Sequence, residues 1–294
     1  MKKILITGAN SYIGTSFEKW VLQYPEKYSV DTIDMKEETW REKSFKGYDV
    51  VFHVAGIAHV SSNPRMKDLY YKVNRDLTIE AAKKAKAEGV KQFIFMSSMS
   101  VYGINGLIGE DIVITRDTPC KPNTLYGRSK LEAEKELKKL EDKHFRIAII
   151  RAPMVYGPNC PGNYTRLKEL VIKTPVFPMI NNKRSMIFID NLSEFIRLLI
   201  ENQEKGLFFP QNKEYVDIVE LVRLIAKKNK KNMYFSRSLG FGIKFLGKRI
   251  SVFKKVFGNL VFDLNLSSYK DFEYNIVDFE KSIECCEIDR KKRC

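Results

Sequence analysis

Tyr126-Gly127-Arg128-Ser129-Lys130 sets a phenol and an ammonium four residues apart at the start of a strongly helical segment, on one helical face. A free tyrosine titrates near about 10, so it acts as a base at neutral pH only where positive charge stabilises the phenolate. Lys130 offers that charge and makes Tyr126 a candidate general acid/base for proton transfer at a carbinol or ketone. Taken alone, such a pair fits an ordinary surface helix equally well. Phe93-Ile94-Phe95-Met96-Ser97-Ser98-Met99-Ser100-Val101-Tyr102-Gly103 supplies a second component, a buried strand ending in hydroxyls. In a parallel sheet, ligands gather at the carboxyl ends of strands, where Ser98 and Ser100 can hydrogen-bond a reacting oxygen. The plain alternative is a serine-rich turn capping that strand.

A third component lies at the other end of the chain. The strand Lys3–Thr7 runs into Gly8-Ala9-Asn10-Ser11-Tyr12-Ile13-Gly14 and then a helix, the context that gives a glycine-rich turn meaning. Gly8 permits the tight turn, Gly14 permits close helix–sheet packing, and the helix N-terminus offers N–H groups to a pyrophosphate. Ser11 stands where the middle glycine of the usual pattern would be; its hydroxymethyl either crowds the pyrophosphate or donates a hydrogen bond to it. Asp34 closes the next strand about twenty residues past Gly14, where a carboxylate accepts bonds from an adenosine ribose. It repels a 2′-phosphate and so favours NAD over NADP, with Lys36 close by. An oxidised nicotinamide ring adds positive charge beside Tyr126.

Short β-rich runs alternating with longer helical patterns are needed to position these groups, and the first half of the chain has them. Strand candidates are 3–7, 29–33, 50–54, 93–96 and 146–150; amphipathic stretches cover 11–23, 65–88 and 125–142. This predicts an α/β, Rossmann-type doubly wound parallel sheet with a smaller C-terminal lobe. After Arg151, Pro153, Gly157, Pro158, Pro161, Gly162, Pro175 and Pro178 punctuate the chain, as in loops of a substrate lobe. The expected division is a dinucleotide-binding domain over 1–160, with 185–210 returning to it, and a substrate-binding lobe over 161–184 and 211–294.

The 294 residues, 44% hydrophobic and 30% charged, suit one large or two joined globular domains. The start is too short in apolar residues for a signal peptide, and no run is long enough to span a bilayer. Five scattered cysteines suggest neither a disulfide framework nor zinc spacing, which fits a reducing cytoplasm. His53 and His59 lack a ligand cluster, so no metal is expected. The formal charge of +15 attracts nucleic acid, anionic lipid and phosphorylated molecules alike, but no nucleic-acid module is recognisable. Within 236–260, Ile243, Phe245, Leu246, Ile250, Phe253 and Val256 interleave with Lys244, Lys248, Arg249, Lys254 and Lys255. This mix suits weak peripheral contact with an anionic membrane or, more simply, a helix covering the substrate lobe.

Thr7-Gly8-Ala9 with Gly14, Asp34, His53-Val54-Ala55-Gly56, Asn74, Ser98 with Val101-Tyr102-Gly103, Tyr126 with Lys130, Arg151-Ala152-Pro153 and Val155-Tyr156-Gly157-Pro158 together resemble the NAD-dependent epimerase/dehydratase family. These are extended short-chain dehydrogenases/reductases acting on nucleotide sugars, and the resemblance runs over roughly residues 1–280. It implies a catalytic set of Ser98, Tyr126 and Lys130, with Lys130 also reaching the nicotinamide ribose. It further implies NAD contacts from the turn Gly8 to Gly14 and from Tyr12, Ile13, Asp34, Val54, Ala55, Gly56, Asn74 and Pro153. On the substrate side, Asn163 and Tyr164 resemble the pair opening a helix over the nucleotide diphosphate, and Arg184 the arginine clamping it. Residues 184–192 are most similar to a UDP-glucose 4-epimerase-like subgroup of 4-epimerases and 4-keto-sugar reductases from surface-polysaccharide pathways. Met154 stands where many members carry asparagine, and 35–48 is short for a third strand with its adenine contact. Three functions follow: C4 epimerisation of a UDP-hexose through a 4-keto sugar, net reduction of a UDP-4-keto-6-deoxyhexose, and a non-catalytic cofactor sensor. The resemblance also implies a homodimer formed through the helix bearing Tyr126.

Overall fold

In the computed structural model, residues 1–58, 66–246 and 251–287 are described. His59, Arg65, Lys248, Arg249, Ile250 and Cys294 lie outside them. The chain runs β1 (Lys2–Thr7), α1 (Tyr12–Val21), β2 (Tyr28–Ile33), β3 (Val50–His53), α2 (Lys67–Tyr71), α3 (Leu77–Ala87) and β4 (Gln92–Ser98). It continues through β5 (Val113–Ile114), α4 (Leu125–Leu140), β6 (Arg146–Ala152), β7 (Met154–Tyr156), α5 (Asn163–Lys173), β8 (Val176–Pro178) and β9 (Met186–Phe188). The remainder is α6 (Ile189–Glu201), β10 (Gly206–Phe208), α7 (Ile218–Lys228), β11 (Tyr234–Ser236), α8 (Arg237–Leu246), α9 (Ser251–Phe257), β12 (Val261–Phe262), α10 (Leu264–Ser267) and α11 (Phe279–Glu287).

Two compact units result. The first comprises 1–103, 119–152 and 192–210; the second comprises 104–118, 153–191 and 211–294. The first unit holds a six-stranded sheet in the order β2-β1-β3-β4-β6-β10, every pair parallel. Its strands are apolar on both faces, Ile4, Leu5 and Ile6 as much as Phe93, Ile94 and Phe95, because helices cover both sides. From β1 the chain goes outward to β2 and then crosses back to β3. That reversal is the switch point at which open α/β sheets bind ligands.

The division differs from the sequence expectation in two places. The first unit's share of the N-terminal half ends at 152 and omits 104–118, whose strand β5 pairs with β12 of the second unit. Strand β9 pairs with β7 instead of returning to the large sheet, and the return is made by 192–210 through β10. The stretch 35–48, short for a strand, forms none; it carries a 3-10 turn over 38–41 and puts Trp40 and Phe45 in the core.

Candidate active site

The turn after β1 is shaped by one close approach. Gly8 has φ of +114°, and a Cβ there would lie 2.6 Å from the Ala55 nitrogen. The glycine therefore lets the end of β3 come against the turn, with Ala55 N donating to Thr7 O at 2.9 Å. Gly8 N and Ala9 N both donate to Ile33 O, which pins the end of β2 to the same place and puts Asp34 one residue beyond it. Asn10 takes a left-handed conformation, φ +63°. Ser11 is the N-cap of α1: its Oγ accepts from Gly14 N at 3.2 Å, so the hydroxymethyl is turned onto the helix and not across the mouth of the turn. Gly14 packs against Ile6 and Val54, and Ile13 lies in the first helical turn.

Asp34 is exposed, and one carboxylate oxygen accepts from Lys36 N at 3.0 Å. Asn74 is completely buried in a π-helical turn between α2 and α3. Its side-chain oxygen accepts from Ile57 N at 2.8 Å, and its amide donates to Ile57 O and to Ser129 Oγ. Through these bonds Asn74 holds the 54–57 segment to α4. Next to that clamp, a Cβ on Gly56 would meet the Asn74 oxygen at 3.0 Å and Lys130 Nζ at 3.3 Å.

Helix α4 starts at Thr124, whose hydroxyl accepts from Gly127 N at 3.0 Å. A Cβ at Gly127 would sit 2.4 Å from Ser100 O, so this glycine lets the first turn of α4 lie on the 98–100 segment. There the Ser98 hydroxyl donates to Ser100 Oγ and accepts from Ser100 N, both at 3.1 Å, beside the first turn of α4 that carries Tyr126. Burial raises the Tyr126 pKa, and the neighbouring Ser98 hydroxyl works against that rise. Lys130 points to Met96 O at 2.8 Å, with its ammonium 4.5 Å from the centre of the Phe95 ring. Burial, opposed by Glu134, pulls it down to about 7. Tyr126 and Lys130 do share a face, but the ammonium engages the carbonyl of β4, not the phenol.

Two contributors escaped sequence reasoning. Glu134, one turn beyond Lys130, accepts a forked pair of bonds from Arg151, at 2.6 Å and 3.1 Å, and both are almost fully buried. Arg151 also donates to the Tyr102 hydroxyl at 2.8 Å, and Ser97 donates to Glu134. The signal was the i, i+4 placement of Glu134 after Lys130 and an arginine inside an apolar strand.

In the second unit, Pro153 is buried between β6 and β7. Asn163 opens α5 and is exposed. Tyr164 is 3% exposed; its ring stacks on Tyr156 and its hydroxyl donates to Glu287 at 2.9 Å. The side chain thus packs in the core of this unit. Arg184 donates to Gly258 O at 2.9 Å and, among the described residues, has no carboxylate partner. Burial lowers it to about 10, which leaves it positive at neutral pH and in need of an anion. His53 accepts or donates between Thr7 and Thr78, stacked on Phe93 and Phe95. Among the described residues no cluster of three His, Cys, Asp or Glu is placed to hold a metal.

The family model for the NAD dependent epimerase/dehydratase family matches residues 4–209. The chain belongs to that family. Its cofactor is accordingly NAD, and the residues present fit it: a glycine-shaped turn onto a helix N-terminus, followed by the exposed carboxylate of Asp34. A UDP-glucose 4-epimerase of Vibrio cholerae is 33% identical over 248 residues, 76% of this chain and 75% of that protein. An N-acetyl-alpha-D-glucosaminyl-diphospho-ditrans,octacis-undecaprenol 4-epimerase of Escherichia coli O157:H7 is 28% identical over 224 residues, covering 69% and 64%. Among solved structures, the UDP-glucuronic acid 4-epimerase of Bacillus cereus in complex with NAD superposes with a TM-score of 0.74 at 19% identity, over 97% of this chain and 95% of that one. A dTDP-4-dehydrorhamnose reductase of Clostridium acetobutylicum gives 0.65 at 21%, over 80% and 82%. At such identities these likenesses speak for the fold, which is that of the family's Rossmann-type members.

Proposed function

We propose that the protein is a cytoplasmic UDP-hexose 4-epimerase that supplies surface-polysaccharide assembly. The observation that carries the reading is the glycine-permitted contact that lays the first turn of α4, bearing Tyr126, on the 98–100 segment at the end of β4, with Lys130 one turn on. NAD held at the turn from Gly8 to Gly14 would supply the hydride acceptor and donor for C4. Tyr126 accepts the proton of the C4 hydroxyl and gives it back, while Ser98 donates a hydrogen bond to that oxygen as it becomes a carbonyl. Lys130 carries positive charge beside Gly56 and favours the phenolate once it titrates. The turn from Gly8 to Gly14 holds the cofactor's pyrophosphate and Asp34 its adenosine ribose. Arg184 answers the substrate diphosphate and Asn163 lies in the same unit to assist.

Purified protein given one UDP-hexose and no added cofactor is expected to form its C4 epimer, with NAD found by mass spectrometry of the denatured enzyme. Tyr126→Phe should lower turnover by roughly a hundredfold or more while retaining NAD. Net consumption of NADH with a UDP-4-keto-6-deoxyhexose, and no epimer formed, would replace this reading by the reductase one. Unchanged activity in Tyr126→Phe would remove both.

A further inference from the structure

Between Leu221 and Phe262 the sequence carries eleven lysines and arginines and no aspartate or glutamate, although the chain has 36 acidic residues. Inside this stretch α8 presents its aromatics outward. Phe241 is 74% exposed and Phe245 78%, and their i, i+4 spacing puts them on one face. At about 100° per residue, Arg237, Ser238 and Lys244 fall on the same arc of the helix. The rotation of α8 is fixed from within: a Cβ on Gly240 would lie 2.3 Å from Met179 O, so the helix is seated too closely to turn. Leu239 and Tyr234, just before the aromatic pair, are also exposed.

A helix that merely covers a lobe buries its apolar side chains, and α9 does so, with Phe257 buried 5.6 Å from the Phe177 ring. Helix α8 does the opposite. Among the described residues neither Arg237 nor Lys244 has an acidic partner within ion-pair distance. Exposed phenylalanines bordered by uncompensated cations are the composition of a helix lying in a bilayer interface. A second copy of the chain is a poor occupant, since a two-fold interface would set this positive arc against itself. Charge complementarity selects an anionic surface.

We propose that α8 docks the second unit on an anionic bilayer, with Phe241 and Phe245 entering the headgroup region and Arg237 and Lys244 meeting lipid phosphates. The docking is independent of the reaction assigned above. It is tested by co-sedimenting the full chain with vesicles of phosphatidylcholine alone or mixed with phosphatidylglycerol. Binding is expected to the mixed vesicles and not to the neutral ones, and to fall as salt rises. Phe241→Ser/Phe245→Ser should weaken binding by at least about tenfold. Arg237→Gln/Lys244→Gln should weaken it by about fivefold per charge removed. Both variants should keep the wild-type melting curve and wild-type turnover of UDP-hexose, so a loss of docking is read apart from a loss of chemistry. Absence of wild-type binding to the mixed vesicles overturns the proposal. So does equal binding by Phe241→Ser/Phe245→Ser, or a wild-type dimer that this variant dissolves to monomers, which would make the face a self-interface.

Discussion

Two buried bases lie under the candidate site, and the charge of Lys130 adds to burial in lowering the affinity of His53 for protons. His53 is pulled to about 3, first by burial and then by Lys130, while Lys130 is itself pulled to about 7. A histidine whose folded pKa is depressed contributes stability above its unfolded value of about 6.5, and that stability is lost as pH falls toward about 3. The difference amounts to on the order of 5 kcal/mol across that window. His53→Gln should therefore be less stable than wild type at neutral pH but show a shallower decline in urea midpoint between about pH 6 and 4. Parallel slopes for the two proteins would contradict a buried neutral imidazole. At this scale the shared face of Tyr126 and Lys130 was legible from their spacing of four residues on a helical segment. The side-chain partners of Asn74 and Tyr164 were not legible, because Ile57 and Glu287 are distant in sequence and no local spacing reveals them.

Helix α4 is the element on which the site depends, and two of its residues are exacting for reasons unrelated to chemistry. Gly127→Ala forces a methyl to within 2.4 Å of Ser100 O, so the first turn must lift away from Ser98. A displacement near 1 Å at a reacting group is worth about a hundredfold in rate, so kcat should drop by roughly ten- to a hundredfold in a protein that still folds and binds NAD. Glu134→Ala leaves Arg151 buried without its carboxylate and should cost about 3 to 5 kcal/mol in denaturant unfolding. The paired replacement Glu134→Leu/Arg151→Met should recover most of that loss, which separates a structural ion pair from a residue needed for turnover. The sequence showed α4 and all five long strands of the sheet, because their apolar periodicity is strong. It concealed β10 and the pairing of β5 with β12, since strands of two or three residues carry almost no pattern.

For the whole molecule, the decisive quantity is a charge of +15 held by a chain whose proposed substrate is an anionic diphosphate. The excess is uneven, with eleven cations and no acids between 221 and 262 in the second unit, which also contains Arg184. Two electrostatic effects should then separate by ionic strength. Long-range attraction dies with the Debye length, which shrinks from about 30 Å at 0.01 M salt to about 3 Å at 1 M. Direct contact with a desolvated guanidinium is screened far less. Over that range kcat/KM for a UDP-hexose should fall by roughly tenfold through KM, with kcat nearly constant. Arg184→Met should raise KM by at least about tenfold at every salt concentration and leave the slope of the salt dependence intact. If that substitution instead abolished the salt dependence and did nothing at high salt, Arg184 would be one steering charge among many, and its burial without an acid would need another anion to explain it.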